Sequence, residues 1–346
     1  DVLAQQIRRF NPKYVGAAPA HRQMLCSLLN GSDTVVFDAE RDLAEMCSLN
    51  DIDIVVIGIS GRAALEPFLA SIRSGKTIAP ANKEALVIAG DILMKEARRH
   101  NVRIIPVDSE QSAIFQCLEG QSRKDLKKIY LTASGGALRE VPADQFDNLT
   151  VDEILKHPRW KMGVKITVDS ATMMNKGFEV IEAQRLFDLR LDQIEVVIHP
   201  EAVIHSMVGF QDGSVIAQIG ATDMRVPIQY ALTYPERWDA PVEDLDFFNV
   251  RQLNFERPDL EKFPALSLAM EAAREGGTAP CVLNAANEEA VAAFLDHAIR
   301  FSDIYRIVER VMRKQKTQVV DHIDCVLAAD LAAREAAQGE LSRLTS

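Results

Sequence analysis

A short acidic segment and a later polar helix carry the groups best suited to bind a metal ion. Asp108 and Glu110 follow an apolar run, and Glu179 lies further along the chain. Hard divalent cations prefer oxygen ligands, often two or three carboxylates. If the apolar run persists as a strand, Asp108 and Glu110 point to the same side. A solvated strand end is the common alternative, but the alternating strands and helices around it favour a ligand site.

The predicted helix that carries Glu179 has a polar face. Asn175, Glu179 and Glu182 recur at helical spacing, while Met174, Phe178 and Ile181 form an apolar stripe beside them. We predict a strand over Ile166–Val168 that enters this helix through a turn of small residues. An amide, a carboxylate and Lys176 at such a junction suit a phosphorylated, metal-chelating ligand. An ordinary amphipathic helix with a solvated polar face is the alternative.

Two further segments could meet such a ligand. Ser134-Gly135-Gly136 follows a predicted strand, and the glycines would let backbone N–H groups approach an anion. A plain turn is the alternative. The loop from His157 to Gly163 carries a tryptophan that could close over a ligand or fill a domain interface.

Other motifs give weaker signals. Gly58-Ile-Ser-Gly61 is not a complete dinucleotide-binding fingerprint, so a tight strand–helix connection is the stronger interpretation. Lys83 could meet an anion or simply begin a helix. His199 and His205 lie near predicted strand ends, where histidines are more often structural than catalytic.

The elements that position these groups form an α/β chain in three parts. Residues 1–105 alternate strands and helices, which predicts a doubly wound sheet. The strands are expected at Thr34–Phe37, Asp53–Ile57, Thr77–Ala79 and Arg103–Val107. The helices are expected at Val2–Phe10, Asp42–Leu49, Ala63–Ser74 and near Lys83–His100.

Residues 106–233 are predicted to form an α+β domain with a mixed sheet, and 265–346 a C-terminal helical bundle, joined by the segment 234–264. Gln211-Asp212-Gly213 is a strong hairpin signal. The remaining expected strands are Ile129–Thr132, Ile194–Ile198, His205–Phe210 and Ser214–Ile219. The expected bundle helices are Leu266–Arg274, Leu283–Ile299, Ser302–Lys314 with Ser302 as N-cap, and Ile323–Gln338.

Bulk composition restricts the partners. The net charge of −11 argues against nucleic acid, because phosphate backbones attract basic surfaces. No apolar run reaches membrane-spanning length. Five scattered cysteines without metal-ligand spacing indicate a reducing compartment.

Taken together in chain order, these segments resemble the 1-deoxy-D-xylulose 5-phosphate reductoisomerase family over essentially the whole chain. Each motif is modest, but the ordered set is highly specific. The matching motifs are Ala81–Glu84, Pro106–Glu110, Thr132–Gly136, His157–Gly163, Val168–Gly177, His199-Pro200 with His205–Met207, and Leu283–Glu288.

The resemblance implies an enzyme of non-mevalonate isoprenoid biosynthesis that uses NADPH and Mg²⁺ or Mn²⁺. It would convert 1-deoxy-D-xylulose 5-phosphate to 2-C-methyl-D-erythritol 4-phosphate. Residues 1–105 would then form a partial Rossmann-like, doubly wound domain that is an incomplete NADPH-binding domain, and residues 106–233 the α+β catalytic domain. A homodimer is also implied, in bacterial cytoplasm or a plastid.

The resemblance also implies roles for single residues. The expected metal ligands are Asp108, Glu110 and Glu179. The expected substrate contacts are Lys83, Ser109, Glu110, Ser134, His157, Ser170, Asn175, Lys176 and Glu179, of which Lys83, Glu110, His157 and Lys176 are the expected catalytic residues. Asn82, Glu84 and Gly163 match positions near NADPH, and Trp160 and Met162 match the flap over the substrate.

Some features depart from the family pattern. The usual first strand and Gly-rich nucleotide loop are not in this sequence, so we expect sequence upstream of residue 1. Gln111 replaces a common His, and Ala137-Leu138 replaces a usual Pro-Phe. An alternative is therefore a relative or fragment that binds sugar phosphate and metal but cannot transfer hydride. A third possibility is a homo-oligomeric binding module with a vestigial site.

Overall fold

The computed structural model describes residues 2–29, 31–156 and 162–345. Its N-terminal part alternates strands and helices, as the sequence predicts. These elements are α1 (Val2–Phe10), β1 (Tyr14–Ala17), α2 (Pro19–Leu28), β2 (Val35–Asp38), α3 (Leu43–Ser48), β3 (Ile54–Ile57), α4 (Leu65–Arg73), β4 (Thr77–Pro80) and α5 (Glu84–Arg99). The strands form two parallel pairs, β1 with β2 and β3 with β4.

The predicted strand Arg103–Val107 is present only as an isolated bridge, from Ile104 to Ile78. The segment lies beside β4, since the N–H groups of Ile105 and Val107 donate to the carbonyls of Ile78 and Pro80. Pro80 has no N–H group to return a bond, which interrupts the ladder, and the chain then enters α6 (Ser109–Leu118). Asp108 stands at the N-cap position of α6 and Glu110 lies in its first turn. The acidic pair is therefore brought together by a helix start and not by strand alternation.

A four-stranded mixed sheet forms the middle of the molecule. Its strands are β5 (Leu126–Ala133), β6 (Ile194–Ile198), β7 (Ile204–Phe210) and β8 (Val215–Ile219). The order is β6-β5-β7-β8, with β5 parallel to β6 and antiparallel to β7. The predicted β7–β8 hairpin is confirmed, and Gly213 adopts the positive φ, +89°, that its turn requires.

The predicted strand Ile166–Val168 is also wrong, because these residues belong to α8. A short α7 (Val151–Ile154) precedes α8 (Val164–Thr172), which is followed by α9 (Met174–Phe187). Met173 joins α8 to α9 in the left-handed conformation, with φ of 65°. Val168 and Ala171 are fully buried, so packing of this helix outweighs the β preference of its branched residues.

The C-terminal part is helical, as predicted. After α10 (Arg225–Thr233) and α11 (Phe247–Val250) come α12 (Pro264–Glu275), α13 (Ala279–Leu295), α14 (Asp303–Lys314) and α15 (Ile323–Thr345). Gly276 and Gly277 take positive φ values of 69° and 52° where α12 ends. Ser302 stands at the N-cap position of α14, as predicted, but its hydroxyl donates to Asp147 and makes no cap hydrogen bond.

One apolar core extends through these parts and holds the site helices in place. Phe68, Phe178 and Phe301, from α4, α9 and the approach to α14, belong to the same buried cluster. In α9, Met174, Phe178 and Ile181 face this core, as their stripe predicts. Within the described ranges, none of the helices is both long and apolar enough to cross a bilayer.

Candidate functional site

Three helix starts converge on one acidic cluster. Lys83 immediately precedes α5, Asp108 and Glu110 stand at the start of α6, and Glu179 lies in the second turn of α9. One carboxylate oxygen from each of Asp108, Glu110 and Glu179 lies within 4.8 Å of the others. The structure thus brings together the three acids that the sequence singles out, and their role as metal ligands stays a prediction.

Two buried lysines compensate this acidic cluster. The Lys83 ammonium group contacts Asp108 and lies 3.1 Å from Oε1 of Glu179. The Lys176 ammonium group lies 2.8 Å from Oε1 of Glu110 and also contacts Glu179. It donates a further hydrogen bond to the backbone carbonyl of Thr132 in β5. Both lysines therefore fix the positions of the carboxylates.

Burial and charge set the protonation of two of these acids in opposite directions. Burial raises the pKa of Asp108 to about 7, against the lowering effect of Lys83. For Glu110, burial also works to raise the pKa, but Lys176 and Lys83 outweigh it and hold the value at about 2. For Lys83, the nearby Asp108 and Glu179 outweigh burial and raise its pKa well above the ordinary value. At neutral pH Lys83 is therefore protonated and Glu110 ionised, whereas Asp108 titrates near neutrality.

Glu182 lies deeper on the same helix and is not part of the solvated face that an amphipathic helix would present. It is fully buried, and neither carboxyl oxygen has a hydrogen-bond partner among the described residues. Burial, with Asp108 as the next cause, raises the pKa of Glu182 well above its ordinary value. Asn175 is closer to the cluster, since its side-chain amide donates to Oε1 of Glu179.

A pocket of about 320 Å³ opens above the cluster. Its volume is in the range that suits a small ligand. The predicted site residues on its wall are Lys83, Asp108, Ser109, Glu110, Ser134, Met162, Gly163, Ser170, Asn175, Lys176 and Glu179. His157 and Trp160, the other predicted residues of the flap segment, lie outside the described residues.

The Ser134-Gly135-Gly136 turn forms one end of this pocket. Gly135 and Gly136 have φ values of 90° and 71°, which favour glycine. A Cβ atom on Gly136 would lie 2.5 Å from the backbone oxygen of Ser170. The turn is therefore pressed against the C-terminal end of α8, which places Ser134 and Ser170 around the same space.

A second cavity adjoins the first and shares Lys83, Gly163 and Asn175 with it. The predicted cofactor residues Asn82, Glu84 and Gly163 all line this second cavity. Asn82 donates to Oε2 of Glu84 at 2.7 Å. Two chemically distinct cavities, one around the acids and one beside Asn82 and Glu84, therefore meet at Lys83.

Lys165 is a polar residue of the second cavity that the sequence does not single out. Its ammonium group lies 3.1 Å from Oε1 of Glu84 and 2.8 Å from Oδ2 of Asp169. Asn287 from α13 donates to the other Asp169 oxygen at 2.7 Å. Burial works to raise the pKa of Glu84, and Lys165 outweighs it and lowers the value. The only sequence signal for Lys165 was its four-residue spacing to Asp169 on a helix that was predicted as a strand.

Two histidines line the first pocket, although their positions near strand ends suggest structural roles. His199 follows β6 and His205 lies in β7. Burial is the main cause that lowers the pKa of His205, which favours the neutral imidazole. Their place in the pocket depends on β6 and β7 flanking β5, a pairing that local sequence does not encode.

Three sequence-family models match the chain in succession. Residues 1–90 match 1-deoxy-D-xylulose 5-phosphate reductoisomerase, and residues 104–187 match the C-terminal domain of the same protein. Residues 219–336 match a domain described as the DXP reductoisomerase C-terminal domain.

Similar proteins bear the same name. The 1-deoxy-D-xylulose 5-phosphate reductoisomerase of Heliobacterium modesticaldum is 53% identical over 299 residues, which are 86% of this chain and 76% of the relative. That of Pelodictyon phaeoclathratiforme is 48% identical over 338 residues, 97% of this chain and 88% of the relative.

Solved structures agree with these sequence relatives. The Zymomonas mobilis reductoisomerase in complex with NADPH superposes with a TM-score of 0.93 at 43% identity, covering 99% of this chain and 89% of that one. A DOX-P reductoisomerase in complex with NADPH, fosmidomycin and magnesium gives a TM-score of 0.92 at 40% identity, covering 99% of this chain and 90% of that one. Neither comparison supports the alternative of a relative that lacks hydride transfer.

Proposed function

The chain belongs to the 1-deoxy-D-xylulose 5-phosphate reductoisomerase family, and we propose on this premise that it catalyses the reaction of that name. The reaction rearranges the skeleton of 1-deoxy-D-xylulose 5-phosphate and reduces the product with NADPH to 2-C-methyl-D-erythritol 4-phosphate. The observation that carries this proposal is the convergence of Asp108, Glu110 and Glu179 within 4.8 Å, on the wall of a pocket that ends in a Ser-Gly-Gly turn.

The acidic cluster has the chemistry of a site for Mg²⁺ or Mn²⁺. Three carboxylates face only two ammonium groups, so the cluster keeps excess negative charge when all three acids are ionised. Asp108, Glu110 and Glu179 would hold the ion. Such an ion supplies polarisation of a carbonyl group and stabilises negative charge that develops on oxygen.

Lys83 and Lys176 have a positioning role in this proposal, in addition to their contacts with substrate. Each ammonium group bridges two carboxylates that come from different helices. Preorganised charges of this kind act without reorganisation during the reaction. Ser109, whose hydroxyl donates to Oε2 of Glu110, would contact the substrate beside them.

The opposite end of the pocket suits the substrate phosphate. Ser134 and Ser170 offer hydroxyl groups there, and Asn175, whose amide donates one hydrogen bond to Glu179, carries a second N–H for a phosphate oxygen. Lys176 adds positive charge between this end and the acids. Holding the substrate at both ends keeps the fragments of a broken carbon–carbon bond in place for rejoining. His157 and Trp160 keep their proposed roles as a substrate contact and a flap residue.

We propose that the second cavity holds the nicotinamide ring of NADPH, the part that donates the hydride. Asn82, Glu84 and Gly163 line it, and it meets the first pocket at Lys83. A hydride donor in this cavity would therefore lie beside the substrate. The ion pair between Glu84 and Lys165 fixes the positions of these two side chains on the wall of the cavity.

The free edge of the mixed sheet supports a homodimer. Among the described residues β8 pairs with β7 alone, and Val215, Ile216 and Ile219 on it are 49%, 38% and 38% exposed. An exposed apolar edge strand is a surface that another chain can cover. Sedimentation of the purified chain tests this part, and a monomer at all micromolar concentrations would contradict it.

The function is tested by following NADPH absorbance with 1-deoxy-D-xylulose 5-phosphate and Mg²⁺ or Mn²⁺. The proposal predicts oxidation of NADPH that requires both substrate and metal, with 2-C-methyl-D-erythritol 4-phosphate as product. Binding of substrate and metal without oxidation of NADPH would contradict it and favour the alternative without hydride transfer. Binding of neither would favour a vestigial site.

A further inference from the structure

His199 is a buried histidine that the proposed mechanism does not use. Its side chain is 0% exposed and its ring stacks on Phe255, with 5.0 Å between ring centroids. Its Nδ1 atom lies 2.9 Å from the backbone oxygen of Asn254 and 3.1 Å from Oε2 of Glu201. The ring is therefore held in one orientation by contacts on one edge and one face.

These contacts determine which nitrogen carries the proton in the neutral ring. A backbone carbonyl and a carboxylate are both acceptors, so Nδ1 must be the N–H donor. Burial works to raise the pKa of Glu201, but hydrogen bonds from Asn254 outweigh it and lower the value, which keeps the carboxylate ionised. Asn254 donates to Glu201 through its side-chain amide at 2.6 Å and its backbone N–H at 3.1 Å.

The other ring nitrogen, Nε2, has no hydrogen-bond partner among the described residues. His199 lines the first pocket, whereas Asn254 and Glu201 do not. Because Nδ1 is engaged by Asn254 and Glu201, Nε2 is the ring nitrogen that remains for a ligand of this pocket. A buried polar atom without a partner is costly, and a ligand in the pocket would remove that cost.

The position of His199 identifies the part of the ligand that it meets. Its backbone N–H donates to the carbonyl of Ala133 at 2.7 Å, and Ala133 directly precedes the Ser134-Gly135-Gly136 turn. His199 is therefore tied to the residue that begins the end of the pocket that we assign to the substrate phosphate.

We propose that His199 is a substrate-contacting residue whose Nε2 atom forms a hydrogen bond with a phosphate oxygen of the bound sugar phosphate. This inference rests on the proposed function and extends its phosphate site. The single proton of this hydrogen bond comes either from a phosphate monoanion or from the imidazolium form of His199. Glu201 and Asn254 are positioning residues, since they hold Nδ1 and so direct Nε2.

The first experiment compares His199→Asn with the unmodified chain. An asparagine amide can still donate toward Asn254 but has no atom at the place of Nε2. We expect KM for the sugar phosphate to rise at least about tenfold with kcat changed less than about threefold, because a ground-state contact is lost. The matched control is His100→Asn, a half-exposed histidine at the end of α5, which should leave both constants unchanged. An unchanged KM in His199→Asn would overturn the proposal.

The second experiment keeps the unmodified chain and so does not depend on the variant folding. The nitrogen resonances of ¹⁵N-labelled histidines are followed while inorganic phosphate, and separately the sugar phosphate, is added. We expect the Nε2 resonance of His199 to move with both probes. No movement at saturation would overturn the proposal. A chain that never oxidises NADPH, yet shows this movement with phosphate, would refute the proposed function while supporting the role of His199.

Discussion

The ammonium nitrogen of Lys83 lies 3.1 Å from Oε1 of Glu179, although the two residues are 96 positions apart in the chain. This contact ties the start of α5 to α9, and Lys83 also contacts Asp108 at the start of α6. With Lys176, two ammonium groups serve three carboxylates, so an additional cation improves the charge balance. The site is thus assembled by buried ion pairs, for which desolvation is repaid only when every partner is present.

Removing the Lys83 charge should destabilise the fold. The Lys83→Met variant keeps the bulk of the side chain but leaves Asp108 and Glu179 buried with less compensation. We expect the free energy of unfolding to fall by about 3–5 kcal/mol, measured by urea denaturation. The matched control is Lys128→Met, whose pair with Glu195 is solvent-exposed, and it should cost less than about 1 kcal/mol. Equal losses in the two variants would contradict the assigned role of Lys83.

The Ser-Gly-Gly turn should tolerate no side chain at Gly136. Gly136→Ala would place a Cβ 2.5 Å from the Ser170 backbone oxygen, at a φ of 71°. The control is Gly120→Ala, since Gly120 has a similar φ of 73° with nothing within 4 Å of its Cβ position.

Both glycine variants should lose about 1–2 kcal/mol from backbone strain. Only Gly136→Ala should also raise KM for the sugar phosphate, by about tenfold or more. The measurements are urea denaturation and steady-state kinetics. Equal KM values in the two variants would mean that the turn does not shape the phosphate end.

Glu182 should make stability fall as pH rises. In the unfolded chain its carboxyl ionises near the ordinary value of 4.5, whereas the folded pKa is raised well above that value. Above pH 4.5 the unfolded state therefore binds fewer protons than the folded state, and this group's contribution to stability decreases until pH passes the folded pKa.

The Glu182→Gln variant removes that titration. Its free energy of unfolding, followed by urea denaturation from acid to neutral pH, should fall less steeply than that of the unmodified chain. The slopes of the two profiles of unfolding free energy against pH should differ by at most about 1.4 kcal/mol per pH unit, the value for one proton. Parallel pH profiles for the two proteins would show that Glu182 ionises normally in the folded state.

The sequence predicted most helices and the β7–β8 hairpin, because apolar periodicity and an Asp-Gly turn act locally. It failed at Ile166–Val168, where a β-branched run forms part of α8 because its residues pack into the core. It also expected Asp108 and Glu110 at the end of a strand and gave no sign that they begin a helix. Local preference could not decide these cases, since long-range packing determines them.

The sequence predicted which residues form the site better than it predicted the contacts between them. Asp108, Glu110 and Glu179 converge as the resemblance implied. The pairing of Lys83 and Lys176 with these acids and the burial of Glu182 depend on how helices α5, α6 and α9 pack, which no single segment encodes. The orientation of His199 depends on Asn254, from a segment predicted only as a connection.

The most direct test of the metal site is a calorimetric titration with Mn²⁺ of the unmodified chain, Glu179→Gln and the control Glu140→Gln, whose carboxylate is on the surface. We expect one ion per chain, bound about 10–100-fold more weakly by Glu179→Gln and with unchanged affinity in the control, with turnover of Glu179→Gln falling in parallel. Equal Mn²⁺ affinity and normal metal-dependent turnover in Glu179→Gln would contradict the role of Glu179 as a metal ligand.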